Sequence, residues 1–143
     1  MAVPMTDDEI RAFLDSRPGW IALTTLGRDG FPHTVPIGYF RDGDAIYMGC
    51  RAGSQKTKNV ERSPQVSLML ESGSSMGEIK GLLIQGHASV VHDDAARVLE
   101  LSRESARRRG TPESELPAEA DPDSAFIEVR PARYISWDYS KQE

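Results

Sequence analysis

The chain has 143 residues, with 22 acidic and 17 basic side chains that give a formal net charge of -5. This length predicts one domain over residues 1–143, and the acidic balance excludes a general nucleic-acid binder, which would carry a basic surplus. The single cysteine, Cys50, allows no intramolecular disulfide, and no apolar run has the length or position of a signal peptide or a membrane span. We therefore expect a cytoplasmic protein with no membrane partner.

The first predicted element is a helix near the N-terminus. Thr6 and Glu9 have the spacing of a capping box, and apolar residues follow at helical intervals. Pro18 is expected to end this helix, because proline cannot continue it.

Six strands are predicted after this helix. Runs of β-branched and apolar residues place them at residues 20–26, 32–40, 45–50, 65–71, 82–92 and 125–139, the last with a break near Pro131. Gly86 inside the fifth strand indicates a bulge or a close backbone approach. Short turns such as Asp29-Gly30 favour antiparallel hairpins, and hence a barrel or sandwich with peripheral helices.

Two further helices are predicted, at about residues 54–62 and 93–110. Acidic residues begin the second of them, and the arginines at positions 107–109 end it. Because cations are favourable at a helix C-terminus, we interpret these arginines as helix-end charges and not as an anion site.

Chemical motifs are scarce in this sequence. There is no metal-ligand spacing, no G-x-S-x-G elbow, no Walker loop and no G-x-G-x-x-G, so no catalytic or metal-binding residue is assigned. Of the three histidines, His33 begins a strand that is suited to line a pocket. His87 and His92 are interpreted as sheet and surface residues.

One stretch, RAGSQKTKNVERSP, has an unusual charge pattern. If Ser54 is the N-cap, its hydroxyl accepts an amide hydrogen, and Lys56 and Lys58 then lie at the positive end of the helix dipole. Free amides and ammonium groups together favour a bound anion, most readily a phosphate. The alternative is a solvated lysine-rich turn that Glu61 and nearby acids screen.

Several motifs occur in a recognisable order. ALTTLGRDGFPHTVPIGYF, DAIYMGCRAGSQKTKNVERSPQVSLML and IQGHASVV follow one another between about Trp20 and Val91, and ARYISWDY stands near the end. The chain thereby resembles the pyridoxamine 5'-phosphate oxidase-like split-barrel superfamily of flavin and deazaflavin proteins. The resemblance implies a mainly β fold, a six-stranded antiparallel Greek-key split barrel. It also implies a homodimer with a cofactor in each of two clefts between the subunits.

The resemblance also implies which residues hold the cofactor. In S-x-K-x-x-N-V the lysine, Lys56, would contact the cofactor phosphate, and the strand over residues 34–38 would lie beside the tricyclic ring. Strand alternation places Trp137 on the face of Ile135, which we expect to point inward, so Trp137 either plugs the barrel end or packs on the ring. The candidate cofactor-binding residues are His33, Thr34, Val35, Pro36, Ile37, Gly38, Arg51, Ser54, Gln55, Lys56, Lys58, Asn59 and Trp137.

These features together predict a small FMN-dependent oxidoreductase that transfers hydride to or from a small organic substrate. Vitamin B6 oxidation is not expected, because the arginine-rich stretch and the longer C-terminal substrate motif of the true oxidases are missing.

Two alternatives to this function stay open. The first is the deazaflavin coenzyme F-420, which Ser54 disfavours because some deazaflavin-binding relatives carry arginine at that position. The polyanionic tail of F-420 would be held by Lys58, Lys80 and Arg51. A non-catalytic flavin- or haem-binding protein would use His33 or His87 as the haem ligand.

Overall fold

The protein is built from seven antiparallel strands and three α-helices within residues 3–16 and 19–141, which the computed structural model describes. The helices are α1 (Asp7–Ser16), α2 (Gln55–Arg62) and α3 (Ala95–Arg108). The strands are β1 (Trp20–Leu26), β2 (Pro32–Gly38), β3 (Phe40–Asp42), β4 (Ala45–Arg51), β5 (Gln65–Ser72), β6 (Lys80–Val91) and β7 (Ser124–Asp138).

The strands form one sheet in the order β2-β1-β5-β6-β7-β4-β3. Its two outermost strands, β2 and β3, are separated in the chain only by Tyr39. The sheet must therefore curl until its edges come together, which gives the expected split-barrel class. The expectation of six strands is wrong, because the predicted strand over residues 32–40 turns a corner at Tyr39 and divides in two. The Tyr39 hydroxyl donates to the carbonyl oxygen of Leu14 at 2.6 Å and so anchors this corner to α1.

Strand alternation decides which side chains enter the barrel. In β5, Val66, Leu68 and Leu70 are buried while the residues between them face outward, as the sequence predicts. These three residues join a main core with apolar residues of β1, β6 and α1.

A β-bulge divides the long pair β6–β7. The register shifts after Gln85, which pairs with Arg133, so that Gly86 pairs with Pro131 and Ala132 is the extra residue. A Cβ at Gly86 would lie 2.6 Å from the carbonyl oxygen of Arg130, which confirms the predicted close approach. The predicted break near Pro131 is instead this bulge within one continuous strand.

Helix α1 begins with the predicted capping box. The Thr6 amide donates to Glu9 Oε1 at 2.9 Å, and the Glu9 amide donates to Thr6 Oγ1 at 3.2 Å. The helix ends at Ser16, and the proline predicted to stop it, Pro18, lies outside the described residues. Within the described ranges, none of the helices combines the length and the hydropathy that crossing a membrane would require.

Helix α3 covers the outer side of β4 and β7. Val98 and Leu101 pack there against Phe40, Tyr47 and Phe126 in a second apolar cluster. Asp94 is the N-cap of α3, and its side chain accepts the amide hydrogen of Arg97.

Candidate functional site

Helix α2 closes one end of the barrel. Its inner face buries Thr57, Asn59 and Val60, and Val60 belongs to the main core. Burial of this face orients the helix, so that its first turn lies directly after the end of β4.

The first turn of α2 keeps its amides without a side-chain cap. Ser54 has the extended backbone of an N-cap residue, but within the described residues its hydroxyl caps no amide and lies 3.4 Å from Thr57 Oγ1. The predicted capping hydrogen bond is therefore wrong. The first intrahelical bond runs from the Lys58 amide to the Ser54 carbonyl oxygen, which leaves the three preceding amides directed out of the helix.

Three cations surround this turn. Arg51 and Lys58 are exposed, and Lys56 is half-buried. In the part of the chain that the structure describes, none of the three forms an ion pair with Glu61 or with any other acidic side chain. Uncompensated cations at the positive end of a helix dipole form a site suited to an anion.

Cys50 lies behind this turn at the end of β4. Burial raises the pKa of its thiol, although the nearby Lys56 charge and the Ser54 hydroxyl act in the opposite direction. The thiol is therefore protonated at neutral pH, and Cys50 acts here as a packing residue.

Asn59 is fully buried and joins α2 to β1. Its Nδ2 donates to Thr25 Oγ1 at 3.0 Å, while its Oδ1 accepts hydrogen bonds from Gln55 at 2.8 Å and Arg62 at 3.2 Å. The Asn59 side chain is thus used within the protein to position the helix, although sequence analysis groups it with the cofactor-binding residues. Thr25 was missed by that analysis, and its inward place after Ile21 and Leu23 is the signal that could have identified it.

The candidate residues of β2 divide between the two faces of the sheet. His33, Val35 and Ile37 point inward, and Ile37 is buried in the core; Thr34 and Pro36 are exposed on the outer face. Because β2 is the outermost strand in the sheet order, one edge of its backbone is unpaired within the described sheet. Backbone groups of residues 35–38 are therefore available to a bound molecule, whereas the Ile37 side chain is not.

His33 is placed opposite Thr25 on the inner side of β2. Its Nδ1 atom is buried and has no hydrogen-bond partner among the described residues. His87, the other candidate haem ligand, is exposed on the outer face of β6. No three His, Cys, Asp or Glu side chains in the described ranges cluster as metal ligands would.

Trp137 lies on the outer face of β7, so its predicted inward orientation is wrong. Ile135 on the same face is 40% exposed, while Ser136 and Asp138 face the interior. The extra residue of the bulge exchanges the two faces of the strand, which explains the error. The indole covers Gly81, where an added Cβ would lie 2.1 Å from the ring.

Within one chain, Trp137 and α2 lie far apart. Trp137 pairs with Gly81 at the start of β6. Pro64, two residues after the end of α2, instead accepts a hydrogen bond from the Ala88 amide of β6 at 2.7 Å. Gly81 and Ala88 are seven positions apart along the strand, roughly 20 Å. The fold thus groups the α2 residues but does not bring Trp137 to them.

The outer face carries two rows of side chains that run across five strands. In register order, the apolar row is Pro36, Ala22, Met69, Leu83 and Ile135. The neighbouring polar row is Thr34, Thr24, Ser67, Gln85 and Arg133, and it includes a 2.9 Å contact between the hydroxyls of Thr34 and Thr24. Most of the polar row lines a groove of about 540 Å³.

Comparison with known sequences identifies one family over most of the chain. The sequence profile described as "Pyridoxamine 5'-phosphate oxidase" matches residues 6–138. No curated protein matches the sequence.

Solved structures share the fold. The conserved hypothetical protein Rv2991 from Mycobacterium tuberculosis is 25% identical with a TM-score of 0.80, and the match covers 94% of this chain and 86% of that chain. An F420 reductase is 23% identical with a TM-score of 0.69, over 93% of this chain and 98% of that one. An FAD-binding protein from Mesorhizobium loti is 17% identical with a TM-score of 0.72, over 96% of both chains.

Proposed function

We propose, from the premise that this chain belongs to the pyridoxamine 5'-phosphate oxidase family, that it is an FMN-dependent oxidoreductase acting on a small organic substrate. The observation that carries this proposal is the first turn of α2. Uncapped amides, the Ser54 hydroxyl and three cations without acidic partners in the described residues meet there. These donors match the oxygens of a phosphate monoester, so the residues present fit the phosphate end of FMN.

The protein's contribution in this proposal is binding and orientation. Lys56 and Lys58 hold the phosphate together with the amides of the first turn, and backbone groups on the open edge of β2 lie along the ring. When bound, FMN supplies the hydride chemistry. This division of tasks explains why the sequence has no acid–base pair of its own.

A second chain is part of the same proposal. The partly exposed apolar row from Pro36 to Ile135 offers a face that a symmetric copy can cover. Since Trp137 lies roughly 20 Å along the strands from α2, it reaches the cofactor only if the partner subunit supplies it. We therefore propose a homodimer with the cofactor between subunits.

Coenzyme F-420 is the alternative cofactor, and one observation favours it. Arg51 and Lys58 are exposed and without acidic partners in the described part of the chain, which gives more positive charge than one phosphate requires. Lys80, expected to join them, instead lies 3.9 Å from the Asp138 carboxylate at the far end of β6. Within one chain, two of the three expected cations are therefore in place for a longer anionic tail.

Replacement of Lys56 tests the proposed site. We expect Lys56→Ala to weaken FMN binding by about 1.5–3 kcal/mol, the contribution of a hydrogen bond to a charged group. FMN fluorescence quenching measures the affinity, and the same titration with F-420 ranks the two cofactors. Arg107→Ala, which removes one positive charge from the end of α3, is the control. Equal FMN affinity in both variants would rule out the phosphate site.

A further inference from the structure

A second cleft, of about 500 Å³, lies where α1 and the end of α3 approach β1 and the corner between β2 and β3. It shares Gly38 with the strand that we propose lies beside the cofactor ring. The mechanism proposed above does not use any other residue of this cleft.

Aromatic side chains form one wall of the cleft, and there is free space above the backbone at Gly38. Trp20 is 70% exposed, which is unusual for so large an apolar side chain, and Phe40 is held in place by stacking on Tyr47 at 5.3 Å. Gly38 lies on the floor, where an added Cβ would have no neighbour closer than 3.8 Å. A flat ring can therefore enter against the Trp20 indole.

The charged side chains of the cleft differ in how they are partnered. Arg41 forms two hydrogen bonds to the Asp15 carboxylate, at 2.9 and 2.6 Å, and they lower the pKa of Asp15. Arg108 binds Glu104 at 2.9 Å and lies over the ring of Phe40. These two arginines are neutralised and serve as wall residues.

Arg109 is the exception among the three helix-end arginines. Arg107 and Arg108 pair with acidic residues. Arg109 has no carboxylate partner in the described residues, and its guanidinium donates only to Ser105 Oγ, at 2.7 Å. The cleft therefore contains one cation whose charge is uncompensated.

The negative end of α3 does not cancel this charge. The carbonyl oxygens of Ser105, Ala106 and Arg107, in its last turn, accept backbone hydrogen bonds from the amides of the next residues, 109–111. Carbonyls that are capped in this way present little free negative charge to the cleft.

We propose that this cleft binds a planar aromatic carboxylate, whose ring packs on Trp20 and whose carboxylate pairs with Arg109. A guanidinium fork matches a carboxylate in two parallel hydrogen bonds, and the aromatic wall accepts the ring. Because Gly38 belongs both to this cleft and to the proposed cofactor strand, such a molecule is the substrate. This last step rests on the proposed function.

Fluorescence of Trp20 tests the proposal directly. The protein carrying Trp137→Phe keeps Trp20 as its single tryptophan and is titrated with 4-nitrobenzoate, an aromatic carboxylate that quenches indole emission. We expect saturable quenching, with a Kd that rises about tenfold or more in Arg109→Gln, because a charge-assisted hydrogen bond is lost. Arg107→Gln, on the same helix end but held by Glu113, is the matched control and is expected to keep the wild-type Kd.

The neutral analogue 4-nitrobenzyl alcohol separates charge recognition from simple stacking. Equal Kd values for the carboxylate and the alcohol, or equal Kd values for the two arginine variants, would overturn the proposal. A parallel FMN titration of the wild-type protein, which keeps Trp137, tests the proposed function separately. If the protein does not bind FMN but the quenching still depends on Arg109, the oxidoreductase and substrate roles are refuted. The proposed binding of an aromatic carboxylate in the cleft is then retained.

Discussion

Single residues of α2 divide into those that place the helix and those available to a ligand. Asn59 is fully buried and its amide group is bound to Thr25, Gln55 and Arg62. Lys58, one residue earlier, is exposed and has no acidic partner in the described residues. A buried amide with satisfied hydrogen bonds stabilises one orientation of the helix, and this orientation fixes where the cations of the first turn lie.

Asn59→Ala tests this structural role. The change removes three hydrogen bonds and leaves the buried Thr25 hydroxyl without its donor, so we expect a loss of about 1–3 kcal/mol in the free energy of unfolding. Urea denaturation measures it. Gln55→Ala removes one of the same bonds from an exposed position and is expected to cost less. Unchanged stability in Asn59→Ala, with FMN affinity sharply reduced, would instead indicate direct cofactor contact.

At the level of elements, the bulge between β6 and β7 decides which side chains face outward. Before it, Ile127 and Val129 of β7 point into the core; after it, Ser136 and Asp138 do. The single extra residue, Ala132, exchanges the faces, because side chains alternate along a strand. Burial of the Asp138 carboxyl raises its pKa, but hydrogen bonds from Ser140 and the charge of Lys80 lower it by more. These interactions allow the carboxylate to be buried.

The contact between Gly81 and Trp137 gives a test of this arrangement. In Gly81→Ala the new methyl group would lie 2.1 Å from the indole ring, so the ring must move. We expect a shift in Trp137 emission, measured in a Trp20→Phe background, and a loss of about 1–3 kcal/mol in stability from overpacking. Gly77→Ala is the control, since nothing lies within 4 Å of a Cβ there. An unshifted spectrum in Gly81→Ala would contradict the outward placement of Trp137.

At the level of the whole molecule, the curled sheet brings the first and last described segments of the chain together. Residues near both ends lie together: the Met5 amide donates to Ser136 Oγ at 2.9 Å, and Lys141 Nζ binds Glu9 Oε1 at 2.5 Å. Elsewhere, the apolar row on the outer face is a surface that the chain itself leaves partly exposed. Such a surface commonly marks a protein interface.

Met69 lies at the centre of that row and is 36% exposed, so Met69→Glu tests the proposed homodimer. We expect the wild-type protein to sediment as a dimer at micromolar concentration and the variant as a monomer, because dimerisation would bury an unpaired carboxylate. The variant should also bind FMN more weakly, since the cleft between subunits is lost. Met76→Glu places the same charge on an exposed loop residue and should remain dimeric. A wild-type monomer that binds FMN tightly would refute the proposed assembly.

Much of the local structure could be predicted from the sequence, because its signals involve residues close in the chain. The capping box of Thr6 and Glu9, the alternation of β5 and the close approach at Gly86 are all confirmed. The charge pattern around Lys56 also predicts an anion site, from residues that are close in the chain.

The tertiary structure decided what depends on distant residues. In the folded chain the sheet turns a corner at Tyr39, and Trp137 faces outward. Asn59 is hydrogen-bonded to Thr25, and Arg109 has no acidic partner among the described residues. Periodicity separates the two faces of a strand but cannot say which one is inward, since that depends on the pairing register and on which segment covers each face. The sequence by itself therefore determined the elements and the family resemblance, whereas the curled sheet decided which of the candidate residues come together.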